Sequence, residues 1–325
     1  MKTVDSLIDN QLASWNVASE NYKALRNVRV KELKVGNLLY KVQFNPARIL
    51  SSAAKVDKAS LQTRKCFLCA ENRPAEQEGI LFGGHYEILI NPYPIFPRHL
   101  TIPEKKHTPQ RIISRFGDML DLADYLQGFT LFYNGPKCGA SAPDHAHFQA
   151  GNSGFMPIEN EWRKYCKKLI GIEGSILWHV DTMPCPFLVI EASSKVDVEH
   201  LFGLYYQSLE LKETEEEPMM NVLAMKNGER WTVLLFPRKK HRPDCYFSQG
   251  EKNILISPAS VDMGGVFITP LEKDFDKIQA SDMENILREV CLSADELHAI
   301  RSIICVFWVL CLAWLFVMDS LPLLL

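Results

Sequence analysis

A mixed α+β fold of antiparallel strands and packed helices is what this sequence predicts, on three observations. Segments rich in β-branched, aromatic and aliphatic residues, LLYKVQF (38–44), YEILINP (86–92) and FTLFYNG (129–135), surround RIISRFGDMLDLADYLQG (111–128), whose apolar spacing is helical. The resulting order of strand, loop, strand, helix, strand does not alternate as a parallel βαβ array would. A second set of strands follows in FLVIEA (187–192), NVLAMKNGERWTVLLF (221–236), KNILISP (252–258) and GGVFITP (264–270), and Asn227-Gly228 inside the second is a hairpin signal.

Each element follows in order. The N-terminal MKTVDSLIDNQLASWNVASENY reads as an amphipathic helix, and Asp5, Asp9 and Glu20 deny it the apolar stretch of a secretory signal. VEHLFGLYYQSLELK (198–212) reads as the helix of the second part, and ETEEEP (213–218) as a solvated acidic loop. No short tandem repeat is visible. The chain divides into a catalytic half at 1–170, a second α+β half at 171–300 that contributes to the substrate pocket, and an apolar tail at 301–325. Ile303 to Met318 carry no charge, and at about 1.5 Å per residue the run falls short of a hydrocarbon core of about 30 Å. It reads as a buried helix or an altered end of the reading frame ahead of a tail anchor.

A formal charge of -3 over 325 residues excludes wholesale binding to nucleic acid or acidic membrane, so any polyanion site is local. Nine cysteines, an odd number without an export signal, indicate reduced thiols in the cytoplasm rather than a disulfide framework.

The chemistry concentrates in DHAHFQAG (144–151). If HAHFQ is extended, His145, His147 and Gln149 share one face and Ala146 and Phe148 the other. Two histidines on a solvated face are common, but Ala146 and Phe148 offer an apolar face to bury. Upstream, CFLC lets Cys66 and Cys69 reach one tetrahedral ion. A redox dithiol is the rival reading, and the ENRPAEQEG that follows does not open a helix as such a dithiol would. Zinc needs about four ligands. His107 in PEKKHTPQ and His145 are the best partners for the two thiolates, and His147 is then free to act as nucleophile or base.

CFLC, NPYPIFPRHLTIPEKKH (91–107) and DHAHFQ, in this order, resemble the histidine-triad superfamily, in the branch of galactose-1-phosphate uridylyltransferase and the nucleotide phosphorylases. FNPARILSSAAK (44–55), FYNGPKCGASAP (132–143) and SPASVDMGGVFITPLEKDF (257–275) extend it, the last being similar to the C-terminal part of GDP-hexose phosphorylases. The resemblance implies a uridylyltransferase-like fold of two related halves, structural zinc on Cys66, Cys69, His107 and His145, His147 as nucleophile, and Gln149 beside it. Ala146 and Phe148 stand where the uridylyltransferase has Pro and Gly, a pattern closer to the GDP-hexose phosphorylases.

The implied reaction is attack of His147 on the α-phosphorus of a nucleoside-diphosphate sugar, GDP-hexose first, or of a dinucleoside polyphosphate, followed by transfer to inorganic phosphate or a sugar phosphate. The small residues of NGPKCGAS allow close backbone approach to phosphate, with Asn134, Lys137 and Ser141 as substrate-binding candidates. Asn91 joins them by its place in the resemblance, and the family implies a homodimer. His99 reads as a structural histidine, and the basic FPRKKHRPD (236–244) as a solvated loop. Two other readings stay open: a hydrolase in which His145 and His147 both bind a catalytic zinc, and a nucleotide-binding protein without turnover, bound to a membrane through its tail.

Overall fold

The computed structural model describes residues 3–172 and 174–320. Helices α1 (Val4–Ser14) and α2 (Asn16–Leu25) break at Trp15, so the predicted single N-terminal helix is two. Thr3 and Ser6 form a capping box at the first. Strands β1 (Arg29–Val35) and β2 (Leu38–Phe44) make a hairpin whose turn needs Gly36 at φ 58°.

Then come β3 (Gly79–Phe82), β4 (Tyr86–Ile90), β5 (His99–Pro103), α3 (Phe116–Tyr125), β6 (Phe129–Asn134) and β7 (His147–Asn152). The second part repeats that order with β8 (Lys167–Ile172), β9 (Ser175–Val180), β10 (Phe187–Ala192), α4 (Lys195–Ser208), β11 (Met220–Asn227) and β12 (Arg230–Pro237). Strand β13 (Val266–Thr269) and helices α5 (Ala280–Val290) and α6 (Ala294–Ser320) complete the chain.

Strands β3 to β12 form one ten-stranded sheet in the order β3-β4-β5-β7-β6-β11-β12-β10-β9-β8. Read inward from either edge, the two halves have the same connectivity, and they meet where β6 and β11 pair antiparallel with Asn134 opposite Asn221. This is the mixed α+β architecture of large antiparallel sheets that the sequence predicts. Alternation along the central strands divides their side chains between two cores. Phe148, Leu131, Val222, Val233 and Leu188 pack under α3, α4 and α6 on one face. Phe132, Leu223, Leu234 and Val189 meet the small sheet β1-β2-β13 and α5 on the other.

Several expectations are corrected. KNILISP forms no strand, because its backbone is engaged elsewhere: Leu255 N–H donates to the Asp274 carboxylate and Ile254 N–H to the Cys245 carbonyl. Helix α3 begins at Phe116, five residues later than its pattern, since Ile112 N–H donates to the Glu217 carboxylate instead of entering a helix. The helix predicted over 198–212 runs Lys195–Ser208, its start set by the Ser194 side chain accepting from Asp197 N–H. ETEEEP is not simply solvated: Glu217 is buried and also accepts from the Tyr133 hydroxyl.

The tail is helical to Ser320, and residues 321–325 lie outside the described residues. Ile300 and Ile304 are buried against the core, whereas Ile303, Val306, Val309 and Leu310 are exposed, so the start of the apolar run is packed on one side only. Among the described residues, no helix is long and apolar enough to cross a membrane.

Candidate active site

CFLC folds as a tight turn in which Cys69 N–H donates to the Cys66 carbonyl and the Asn72 amide donates to the same carbonyl. Both thiols are thereby turned toward His107 and His145. Cys66 Sγ lies 3.3 Å from His145 Nδ1, and Cys69 Sγ lies 3.3 Å from His107 Nδ1 and 3.5 Å from His145 Nδ1. Ligands around a tetrahedral ion at zinc bond lengths stand about 3.5 Å apart, and the four ligand atoms, all within 4.8 Å of one another, could hold a metal ion.

The outer nitrogens agree with that use. His145 Nε2 donates to the Glu104 carbonyl at 2.7 Å, and His107 Nε2 lies 3.7 Å from the Asp144 carboxylate, which Arg64 also holds. Each imidazole is thus held at its outer nitrogen, with Nδ1 directed at the sulfurs. Burial and the neighbouring Cys66 push the Cys69 thiol up to about 11, so a bound cation is what would hold this residue as a thiolate.

His145 lies in a bend just before β7, rather than on the strand as the alternation pattern assumed, and this bend directs its ring to the cysteines. His147 opens the strand. Its Nδ1 donates to the His145 carbonyl at 2.8 Å, which fixes the tautomer and leaves Nε2 with no protein partner among the described residues. Burial lowers its pKa to about 4, so the ring is neutral near pH 7.

Gln149, two residues further on the same face of β7, has its oxygen occupied. His99 Nε2 donates to it at 3.1 Å and the Asn91 amide stands 3.5 Å away. His99 Nδ1 accepts from Ile95 N–H, which sets that tautomer, and burial holds its pKa well below 6.5. The backbone satisfaction expected of His99 is present, together with a second bond that leaves the Gln149 NH2 as its outward group.

Gln149 lines a shallow open cleft of about 60 Å³, with Asn134 at the end of β6, Ser141 of the 135–146 connection, Arg48, Ser51 and Ser52 of the early loop, and Ser257 and Asp262 of the C-terminal segment. Asn134 accepts through Oδ1 from Asn221 Nδ2 and Ser260 N–H, and its Nδ2 has no protein partner among the described residues. Gly139, at φ 92°, packs so closely on the C-terminal segment that a Cβ would stand 2.5 Å from Ala259 Cβ. Lys137 does not line the cleft and forms an ion pair with Glu215. Asn91 is committed to Thr101 Oγ1 and Tyr93 N–H, so it supports Gln149.

Arg48 and Gln110 escaped the sequence reading of single residues. Arg48 lies in FNPARILSSAAK, donates to the Tyr93 carbonyl, and has a pKa lowered by burial to about 10, so it keeps its charge at pH 7. Among the described residues, no carboxylate lies within ion-pairing reach of Arg48, Arg238 or Arg242. Arg238 is buried and donates to carbonyls and to Asn221, so it is not part of a solvated loop. Arg242 joins Ser257 to the Ala54 carbonyl beside the cleft. Asp262, whose pKa burial raises to about 7, is the carboxylate nearest in effect to Arg48 and Arg238, and positive charge this lightly compensated suits an anionic ligand.

Comparisons with known proteins agree with this arrangement. Residues 165–308 match the family described as "GDPGP1-like, C-terminal domain", and residues 7–152 match a domain of unknown function, DUF4922. Comparison with curated proteins gives no match. The crystal structure of yeast Ap4A phosphorylase Apa2 in complex with Ap4A is similar at a TM-score of 0.55 and 18% identity, over 86% of this chain and 97% of that one. Its complex with AMP gives 0.55 and 18% over 87% and 97%. At this identity the likeness is one of fold. The two matches together give the chain the fold of yeast Ap4A phosphorylase and, over residues 165–308, a GDPGP1-like domain as its C-terminal part.

Proposed function

We propose that the protein is a phosphorylase that cleaves a nucleoside-diphosphate sugar, GDP-hexose first, or a dinucleoside polyphosphate, through a nucleotidyl-His147 intermediate. The observation that carries this is the state of His147: neutral, anchored through Nδ1 to the His145 carbonyl, and with Nε2 free. The Nε2 lone pair attacks the α-phosphorus, and the P–O bond to the second phosphate breaks with its electron pair leaving on that oxygen. Inorganic phosphate or a sugar phosphate then attacks the same phosphorus and restores the imidazole.

Gln149 donates to a nonbridging oxygen, and Asn134, Ser141 and Arg48 stabilise charge along the phosphate chain, the role that fixed donors have in phosphoryl transfer. Zinc on Cys66, Cys69, His107 and His145 would brace the turn that delivers His147 and would not touch the reacting atoms. The first half supplies the catalytic residues and the second lines the pocket. Support for the dinucleotide branch comes from the fold shared with yeast Ap4A phosphorylase, and support for the GDP-hexose branch from the GDPGP1-like domain.

The reading is tested by incubating the protein with GDP-, UDP- and ADP-sugars and Ap4A, with and without phosphate. Nucleoside diphosphate should be released only with phosphate and not by His147→Asn. Turnover in the absence of phosphate would favour a metal-dependent hydrolase.

A further inference from the structure

The pairing of β6 with β7 stops short of the site. Four pairs, from Phe129↔Asn152 to Phe132↔Gln149, keep one register, and two more residues of it would set Asn134 directly opposite His147. No ladder forms there. Instead, the side-chain amide of Gln110 occupies the fork. Its Nε2 donates at 3.0 Å to both the Asn134 carbonyl and the His147 carbonyl, and its Oε1 accepts from His147 N–H at 2.8 Å. Gln110 is 1% exposed, and its own N–H donates to the Pro143 carbonyl, so it is itself fixed to the 135–146 connection.

A continued ladder would satisfy these backbone groups by direct pairing at about 4.8 Å between strands. An interposed amide satisfies them while keeping the strands further apart. The two residues held open are His147, with its free Nε2, and Asn134, with its free amide.

We propose that Gln110 is a positioning residue that sets the separation between His147 and Asn134 by replacing one rung of the sheet. The inference rests on the reaction proposed above for its kinetic consequence, but its structural half stands without that reaction. A hydrocarbon side chain in the fork leaves three buried backbone groups unpaired, and the strands must close or shift. Displacement of a reacting group by about 1 Å costs on the order of a hundredfold in rate.

The test compares wild type with Gln110→Met, and with Gln110→Glu, which keeps the acceptor for His147 N–H and carries the test if the methionine variant fails to fold. With histidine-selective ¹⁵N labelling, wild type should give a slowly exchanging Nδ1–H signal, assigned to His147 by its absence in His147→Asn. That signal should be lost in Gln110→Met. Single-turnover formation of the nucleotidyl adduct should slow about a hundredfold in Gln110→Met and about tenfold in Gln110→Glu, with nucleotide affinity within about threefold of wild type and metal content unchanged. A residue needed only for stability would lower the melting temperature and leave the adduct rate of the folded protein intact. Retention of the Nδ1–H signal and of the adduct rate within about threefold of wild type would overturn the proposal. If wild type forms no adduct, the proposed reaction falls, and the Nδ1–H signal alone decides the role of Gln110.

Discussion

The two halves of the large sheet share their order of strands and differ most where their inner strands connect. In the first half β6 passes to β7 through residues 135–146, whereas in the second β11 passes to β12 through Gly228 and Glu229 alone. The short turn lets the β11–β12 ladder run its full length, from Met220↔Pro237 to Asn227↔Arg230. The long connection stops the β6–β7 ladder early, admits Gln110 into the fork, and delivers His145 to the cysteines and His147 to the strand. One topology thus serves twice. In the proposed reaction the segment beyond β12 supplies a wall of the cleft, and the half with an opened ladder supplies His147.

The largest effect should come from removing the brace that only the first half has. If Cys66, Cys69, His107 and His145 hold the proposed zinc, Cys69→Ser should lose it and lower the melting temperature by roughly 10 °C, about 3–5 kcal/mol, because a metal–ligand bond is stronger than the hydrogen bonds of the 66–69 turn. Cys166→Ser in the second half, away from any cluster, should stay within about 0.5 kcal/mol of wild type. Metal analysis and calorimetry on both variants check this, and equal losses would mean that the metal does not distinguish the halves.

Next in size is the pair of connections themselves. Gly139→Ala meets both a positive φ and the Ala259 Cβ, and should cost about 2–3 kcal/mol with weakened nucleotide binding. Gly228→Ala has a positive φ in open space, and should cost about 1 kcal/mol without changing nucleotide binding. Chemical denaturation and nucleotide titration of the two variants would expose any failure of that contrast.

A pH-dependent effect concerns Glu217, which ties the second half to Tyr133 and Ile112 of the first. Burial raises its pKa from 4.5 to about 7. The folded state therefore holds this proton more tightly than the unfolded chain does. The contribution to stability is fully present below about pH 4.5 and is lost as pH rises toward 7. Between pH 4.5 and pH 8, wild type should lose up to about 3 kcal/mol relative to Glu217→Gln. Parallel stability curves for the two proteins across this range would remove Glu217 as a joint between the halves.

What the sequence disclosed follows the same division. CFLC and HAHFQ are local patterns whose spacing reflects their geometry, so the gathering of Cys66 and Cys69 with His145, and a His147 outside that cluster, could be expected before any fold was known. Arg48, Gln110 and the support that His99 and Asn91 give to Gln149 depend on contacts between segments far apart in the chain. No local pattern announces a glutamine that substitutes for a rung of sheet. Lys137 looked like a phosphate ligand because it lies in a glycine-rich loop, and its partner Glu215 is 78 residues away. KNILISP has the composition of a strand, but Asp274 and Cys245 take its hydrogen bonds first. The repeat of the two halves resides in strand order, which a search for repeated residues cannot see.

The central claim is that the opened half presents His147 as a nucleophile. Intact-mass analysis after mixing the protein with each nucleotide substrate in the absence of phosphate tests it directly, with His147→Asn alongside. The account predicts an acid-labile gain in wild type equal to one nucleoside monophosphate, absent in His147→Asn and discharged when phosphate is added. Turnover of substrate with no such adduct, or an adduct that survives in His147→Asn, would contradict it.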